Sequence, residues 1–200
     1  MSVLFDRLQK LFDEGHGVEL PDLRSDAIFA PPEIRPAAVL IAVTDRPEPG
    51  VLLTHRPEDM RAHPGQVAFP GGKLDPGEDA VEAALREAHE ELAVEPSSVR
   101  IIGASDRYIT GSGYDVTPVL GLVPPDLPIR PNPMEVSAWF EPPLRYLFDP
   151  ANHVQKQREW QGRTRHYIEI EWQGHRIWGI TAAIISNLSR RLAWQELING

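Results

Sequence analysis

The chain has 200 residues, 42% of them hydrophobic and none a cysteine, with 20 basic against 29 acidic side chains and a formal net charge of −9. That length fits one domain able to bury roughly 70% of its unfolded surface, and the missing thiols exclude disulfides, thiolate metal sites and a cysteine nucleophile. The acidic balance argues against bulk binding to nucleic acid or anionic membrane, so a phosphorylated small molecule would need local arginines or a metal to be held here.

Residues 1–20 mix Asp6, Arg7, Lys10, Asp13 and Glu14 into the apolar positions, which speaks against a signal peptide. No run approaches the length of a membrane-spanning helix, and a cytoplasmic protein is expected. Val3 to Phe12 spaces Val3, Leu4, Leu8, Leu11 and Phe12 as an amphipathic helix, with Gly15 and Gly17 as its stop. Leu20 to Pro36 reads as a proline-punctuated connector. Residues 1–34 are therefore expected to be an N-terminal helix and connector, and 35–197 the main domain.

Ala37 to Thr44 is a continuous apolar run, as expected of a buried strand. Arg46 to Gly50 reads as a turn and Val51 to Thr54 as a second strand, so the two together predict a hairpin. Gln66 to Phe69 is a short strand that Pro70-Gly71-Gly72 should end. Asp79 to Leu92 carries an apolar stripe (Ala80, Val81, Ala84, Leu85, Ala88, Leu92), with Asp79 and Glu82 at the end where negative charge is favoured. Val99–Ala104, Tyr114–Val123 and Val136–Phe140 read as strands, and Pro124–Pro133 as a loop. Gln173-Gly174 is a hairpin turn between His166–Trp172 and Arg176–Trp178. Thr181–Glu196 closes the pattern as a helix. There is no internal repeat and no regular βαβ alternation.

Within the helix at 79–92, Glu87, Glu90 and Glu91 stand at i, i+3 and i+4, on one face and away from the apolar stripe. Like charges at ~4 Å cost about 1 kcal/mol in water and about 4 at an effective dielectric of 20. Such a cluster is tolerable on a wet surface, whereas in a cleft it calls for a cation, and hard oxygen donors suit Mg²⁺ or Mn²⁺. Arg86 sits beside the cluster, and Glu78 lies where it could reach back to Arg86.

Gly72, Glu78, Arg86-Glu87, Glu90-Glu91 and Val94 together resemble the Nudix box, G-x5-E-x7-R-E-U-x-E-E-x-G-U, with U apolar. Ala93 stands where the box has its late glycine. A left-handed residue there costs alanine roughly 1 kcal/mol, so the helix exit is expected to differ without loss of a ligand. The resemblance implies an α/β/α sandwich with a central mixed sheet and a loop–helix–loop that holds divalent cations. It implies Glu87 and Glu91 as principal metal ligands, Glu90 assisting, the Gly72 carbonyl joining them, and Arg86 with Glu78 orienting the glutamates. The family hydrolyses a nucleoside diphosphate linked to another group. The general base stays open among Glu90, Glu135 and Glu141.

The segment VLLTHRPEDMRAHPGQVAFPGG, Val51 to Gly72, resembles the LLTxR…R…HxGQVxFPGG signature of the coenzyme A diphosphatase branch, although Pro57-Glu58 departs from it. TGSGYDVTPVLGLV, NPMEVSAWFEPPL and IWGITAAII extend the likeness over about residues 35–190. It implies coenzyme A or an acyl derivative as substrate. Arg56 and Arg61 are candidates for phosphate contacts, with surface pairing to Glu58 or Asp59 as the alternative. His63 could bond phosphate or cap its loop. Gln66 belongs near the metal loop, while Phe69 and Pro70 read as structural. Lys156, Arg158, Arg163, Arg165 and Arg176 read first as a solvated hairpin, with phosphate or adenine recognition as the alternative. Trp139, Trp160, Trp172 and Trp178 read first as core or dimer contacts. His153, His166 and His175 lack a zinc-ligand spacing. The expected partner is a small molecule, with neither nucleic acid nor membrane, on a monomer or homodimer. Other diphosphates, ADP-ribose among them, and a non-catalytic nucleotide-binding module are the competing readings.

Overall fold

A computed structural model describes residues 2–58, 65–160 and 162–193. In chain order it has α1 (Val3–His16), β1 (Arg35–Thr44), β2 (Leu53–His55), β3 (Val67–Ala68), β4 (Gly71–Lys73), α2 (Ala80–Leu92), β5 (Arg100–Ala104), β6 (Tyr108–Ile109), β7 (Tyr114–Val123), β8 (Ala138–Phe140), α3 (Leu144–Phe148), β9 (Val154–Trp160), β10 (Arg163–Trp172), β11 (His175–Trp178) and α4 (Ile180–Arg191). The centre is a five-stranded mixed sheet in the order β4-β1-β7-β5, with β6 also on β7. β1 and β7 run parallel from Arg35 opposite Tyr114 to Thr44 opposite Val123, and the other pairings are antiparallel.

The apolar run in β1 follows from burial on both faces. Ile41 and Val43 join Leu120 and Leu122 in one core, which takes in Leu8, Leu11 and Phe12 of α1 and Ile184, Ile185 and Leu188 of α4. Ala38, Leu40 and Ala42 join Val119 and Val123 on the other face, under Ala84, Ala88 and Leu92 of α2. The mixed α/β fold and its central mixed sheet are as expected. No helix among the described residues is long and apolar enough to cross a membrane.

Several local expectations are corrected. Strand β2 does not form a hairpin with β1. β1 makes one isolated bridge, Val43 with Val51, to the segment just before β2, and β2 itself pairs with β3 and β8 in a separate three-stranded sheet. Pro70-Gly71-Gly72 does not merely end a strand: Gly71–Lys73 is β4, antiparallel to β1. A Cβ on Gly71 would overlap the Ala38 carbonyl, so this glycine serves close approach of two backbones rather than a turn. For the same reason α1 runs through Gly15 and ends at Gly17, because a Cβ on Gly15 would overlap the Arg191 carbonyl of α4. Sequence reading missed β6 and β9. The β10–β11 turn is as expected, with Gln173 and Gly174 both at positive φ (48° and 84°).

The exit of α2 does not differ as expected. Asp79 caps its start with a reciprocal capping box to Glu82, and Ala93 takes the left-handed conformation (φ 57°, ψ 33°) at its end. Alanine is strained there. Replacing it by the residue that fits, A93G, is expected to raise stability by about 0.5–1 kcal/mol and the melting temperature by roughly 1–4 °C. Thermal denaturation checks this, and a lower melting temperature would show that the left-handed strain is not what limits this turn.

Candidate active site

The strands set the stage for α2. Its apolar face lies on β1, and its second face turns toward the β4 backbone, where a Cβ on Gly72 would overlap the Glu87 carboxylate. Glu91 is 5% exposed, and its Oε2 is buried without a hydrogen-bond partner. A third carboxylate comes from far along the chain. The loop after β7 docks on the end of α2, with Arg130 N–H donating to the Leu92 carbonyl at 2.9 Å and Asn132 N–H to the Glu91 carbonyl at 2.8 Å. Asn132 Nδ2 then donates to Glu135 Oε1 at 3.4 Å. The result is that Glu87, Glu91 and Glu135 bring carboxylate oxygens within 4.8 Å of one another. Among the described residues this trio is the one group of acids and histidines arranged to hold a metal ion.

Arg86 organises the neighbours. Its Nε donates to Glu78 Oε1 at 2.7 Å, Nη1 to Glu87 at 2.9 Å and to Glu90 at 3.2 Å, and Nη2 to Glu78 Oε2 at 3.0 Å and the Lys73 carbonyl at 2.9 Å. One planar fork therefore ties three carboxylates to β4, a geometry lysine cannot reproduce. These bonds hold the Glu78 carboxyl below its usual range. Glu90, half exposed and bound to Arg86, stands outside the trio. Glu141 is engaged elsewhere, accepting from Thr44 Oγ1 at 2.6 Å and pairing with Arg46 at 3.3 Å.

Electrostatics distinguish the three acids. Burial first, then the like charges of Glu87 and Glu135, push Glu91 up to about 8, with Arg56 and the Gly71 N–H opposing. Burial likewise raises Glu87. The donor set is all hard oxygen, one of its atoms is orphaned in the interior, and the nearby glycine leaves room for the carboxylate, so these residues fit a divalent cation. A carboxyl raised in the fold binds more protons than in the unfolded chain, so it stabilises the protein below its unfolded value, about 4.3, and loses that contribution as pH rises through about 8. Metal-free protein is therefore expected to lose about 2 kcal/mol or more, roughly 4–8 °C in melting temperature, between pH 5.5 and 8.5. Millimolar Mg²⁺ should restore it at the upper pH. Melting curves with chelator and with metal test this, and a flat metal-free profile would refute a strained Glu91.

Beside the trio opens a cavity of about 480 Å³. Arg35, Arg56 and Lys73 line it, with Gln66, Gly71, Gly72, Tyr114 and Trp178, and no described lining residue is acidic. Arg56 Nε is buried without a partner, and its charge reaches Glu91. Arg35 and Lys73 lie over the Tyr114 ring at 5.0 and 6.0 Å. Sequence reading did not single out Arg35, Lys73 or Tyr114 for the site. The available signal was basic residues flanking the recognised motifs in an acidic chain. Trp178 lines the cavity instead of being only a core contact. Phe69 is buried in the core. Arg61 and His63 lie outside the described residues. His175 meets His55 at 2.8 Å, with no third ligand among the described residues.

The NUDIX domain family matches residues 34–163. The uncharacterized Nudix hydrolase NudL of Escherichia coli (strain K12) is 44% identical over 160 residues, which are 79% of this chain and 83% of that protein. The protein of the same name in Escherichia fergusonii is 45% identical over an equal span. Among solved structures, a C. elegans Ap4A hydrolase binary complex aligns with a TM-score of 0.48 and 23% identity, over 56% of this chain and 81% of that one.

Proposed function

The chain belongs to the Nudix family and is a hydrolase acting on pyrophosphate bonds; from that premise we propose that it cleaves the diphosphate of coenzyme A or an acyl-coenzyme A to 3′,5′-ADP and phosphopantetheine or its acyl form. The observation that carries this reading is a cavity with three basic and no acidic described side chains, opening beside the carboxylate trio in a protein of net charge −9. A substrate with several phosphates matches that charge, and the Val51–Gly72 signature points to the coenzyme A branch.

In this reading Glu87 and Glu91 would hold Mg²⁺ or Mn²⁺, with Glu90 and the Gly72 carbonyl as further oxygen donors and the Glu135 carboxylate beside them. The ion would supply charge neutralisation of the diphosphate oxygens and a lowered pKa for the attacking water. Arg86, braced by Glu78, positions Glu87. Arg56 binds a diphosphate oxygen, where a half-buried guanidinium with an unpartnered Nε gains a charge-assisted bond. Arg61, His63 and Gln66 complete the phosphate-binding side. Glu135 takes the proton of the attacking water, because it stands with the trio yet outside the Arg86 fork that engages Glu90. The proposal includes residues 1–34 as an N-terminal helix and connector on a hydrolase domain spanning 35–197, a monomer or homodimer, and a cytoplasmic setting.

Product analysis by mass spectrometry tests it. Purified protein is incubated with coenzyme A and with ADP-ribose, in Mg²⁺, in Mn²⁺ and in chelator. Metal-dependent 3′,5′-ADP and phosphopantetheine are expected. AMP from ADP-ribose, with coenzyme A untouched, would keep the metal site and refute the substrate. Nucleotide binding without any product would revive the non-catalytic reading.

A further inference from the structure

The 480 Å³ cavity continues into a second, of about 340 Å³, with Gln66, Ser112, Trp178 and Ile180 common to both. This further chamber lies under the β9–β10 hairpin, and its charge is unusual. Arg158 and Arg165 stand directly opposite each other in the β9–β10 register, and both line the chamber. Like charges directly opposed on a sheet destabilise the pair. Among the described residues, three of the neighbouring cations here pair with two carboxylates. Arg165 pairs with buried Asp26. Lys156 and Arg176 share Glu169, at 3.9 and 2.5 Å. Arg158 has no carboxylate partner among the described residues, and its guanidinium lies 5.4 Å from the centre of the Trp178 ring. Arg176 lies 4.9 Å from that ring, so the indole carries two cations.

The hairpin is solvated, as expected, but solvation alone does not account for the pairing of these cations. Surface arginines in an acidic protein have carboxylates to choose from, whereas Arg158 lies by an indole, facing another arginine, in a cleft that also runs along Gly71 and Gly72, the glycines beside Glu91 and Glu87. Both cation pairs would be relieved by an anion bound between them. Resting on the proposed function, we infer that Arg158, with Trp178 as its platform, is a specificity-determining residue that binds a phosphate monoester carried at the nucleotide end of the substrate. The cleft would then measure its substrate at two points: a diphosphate between Arg56 and the glutamates, and a terminal monoester at Arg158. A monoester, with up to two charges, is the group an unpaired guanidinium discriminates best from a plain hydroxyl. In the proposed substrate this group is the 3′-phosphate.

The test uses the full chain with metal removed, so that binding is read apart from turnover. Isothermal titration compares 3′,5′-ADP with 5′-AMP, which differ by the monoester alone, on wild type and R158Q. Wild type is expected to bind 3′,5′-ADP at least about ten-fold more tightly, and R158Q to close that gap to within about two-fold. An unaltered melting temperature for R158Q is the accompanying control, since Arg158 is exposed and its loss removes a like-charge contact. Equal affinity of wild type for the two nucleotides, or an unchanged ratio in R158Q, would overturn the inference. Turnover separates the two claims. If coenzyme A and dephospho-coenzyme A are cleaved with the same kcat/KM by wild type and by R158Q, the monoester site falls while the proposed function stands. If neither is cleaved but the binding ratio behaves as expected, the monoester site stands and the substrate assignment falls.

Discussion

Glu91→Gln is expected to lower kcat at least about 100-fold, about 2.7 kcal/mol of transition-state stabilisation, while the protein stays folded. The side chain keeps its shape but loses the charge that a cation needs, at the most buried position of the trio. The same substitution removes a buried like charge from Glu87 and Glu135. Metal-free E91Q should therefore melt at or above wild type at pH 8, and its melting temperature should no longer fall between pH 5.5 and 8.5. Glu90→Gln is the comparison, because Glu90 is half exposed and bound to Arg86. A loss of roughly ten-fold or less is expected from it. Steady-state kinetics and melting curves on both variants decide the matter. Near-normal turnover by E91Q would sink the metal assignment, and equal large losses from both variants would make Glu90 a full member of the site.

The largest expected loss of stability lies away from the chemistry, at Arg191. Its side chain is 9% exposed and makes four close bonds, to Asp106 at 2.7 and 2.8 Å and to the carbonyls of Gly15 and Val18 at 2.7 and 2.6 Å. Removing it leaves two carbonyls and a partly buried carboxylate without their donor, and R191A should cost about 3–5 kcal/mol. For a chain of this size that is a fall of roughly 6–20 °C in melting temperature. Arg191 holds the Asp106 carboxyl below its usual range. That share of stability is present at neutral pH and is lost as pH falls through the depressed value, so R191A should also flatten the acid limb of the stability profile. A shift under 2 °C would mean that water replaces the guanidinium at no cost.

The helix that carries the site was legible because its signals are local: Asp79 and Glu82 at the cap, a stripe at helical spacing, glutamates at i, i+3 and i+4. The tie from Arg86 in α2 to Glu78, eight residues earlier and just before the helix cap, was legible through the box spacing. What was not legible depends on distant partners. Glu135 was a candidate base through the family resemblance alone; that it joins Glu87 and Glu91, 44 positions from the latter, follows from the Asn132 hydrogen bond to the end of α2, and no periodicity announces that. The glycines at 15 and 71 look like turn residues in a sequence, yet each is small because another backbone passes close by. Strand β2 pairs with β3 and β8 instead of β1, partners that lie 12 and more positions further along the chain. Charges that the sequence scatters over 35, 56, 73 and 158 share a cleft only after folding.

The contact between Gly15 and Arg191 spans 176 positions, and it sets a schedule for synthesis. At about 5–20 residues per second, translation takes roughly 10–35 s to travel between them. Through that interval Leu8, Leu11 and Phe12 have no fourth helix to complete their cover. In the nascent chain α1 therefore has β5 to pack on long before α4 exists, and the side of Leu8, Leu11 and Phe12 that α4 covers is closed only when nearly all of the described chain has been made.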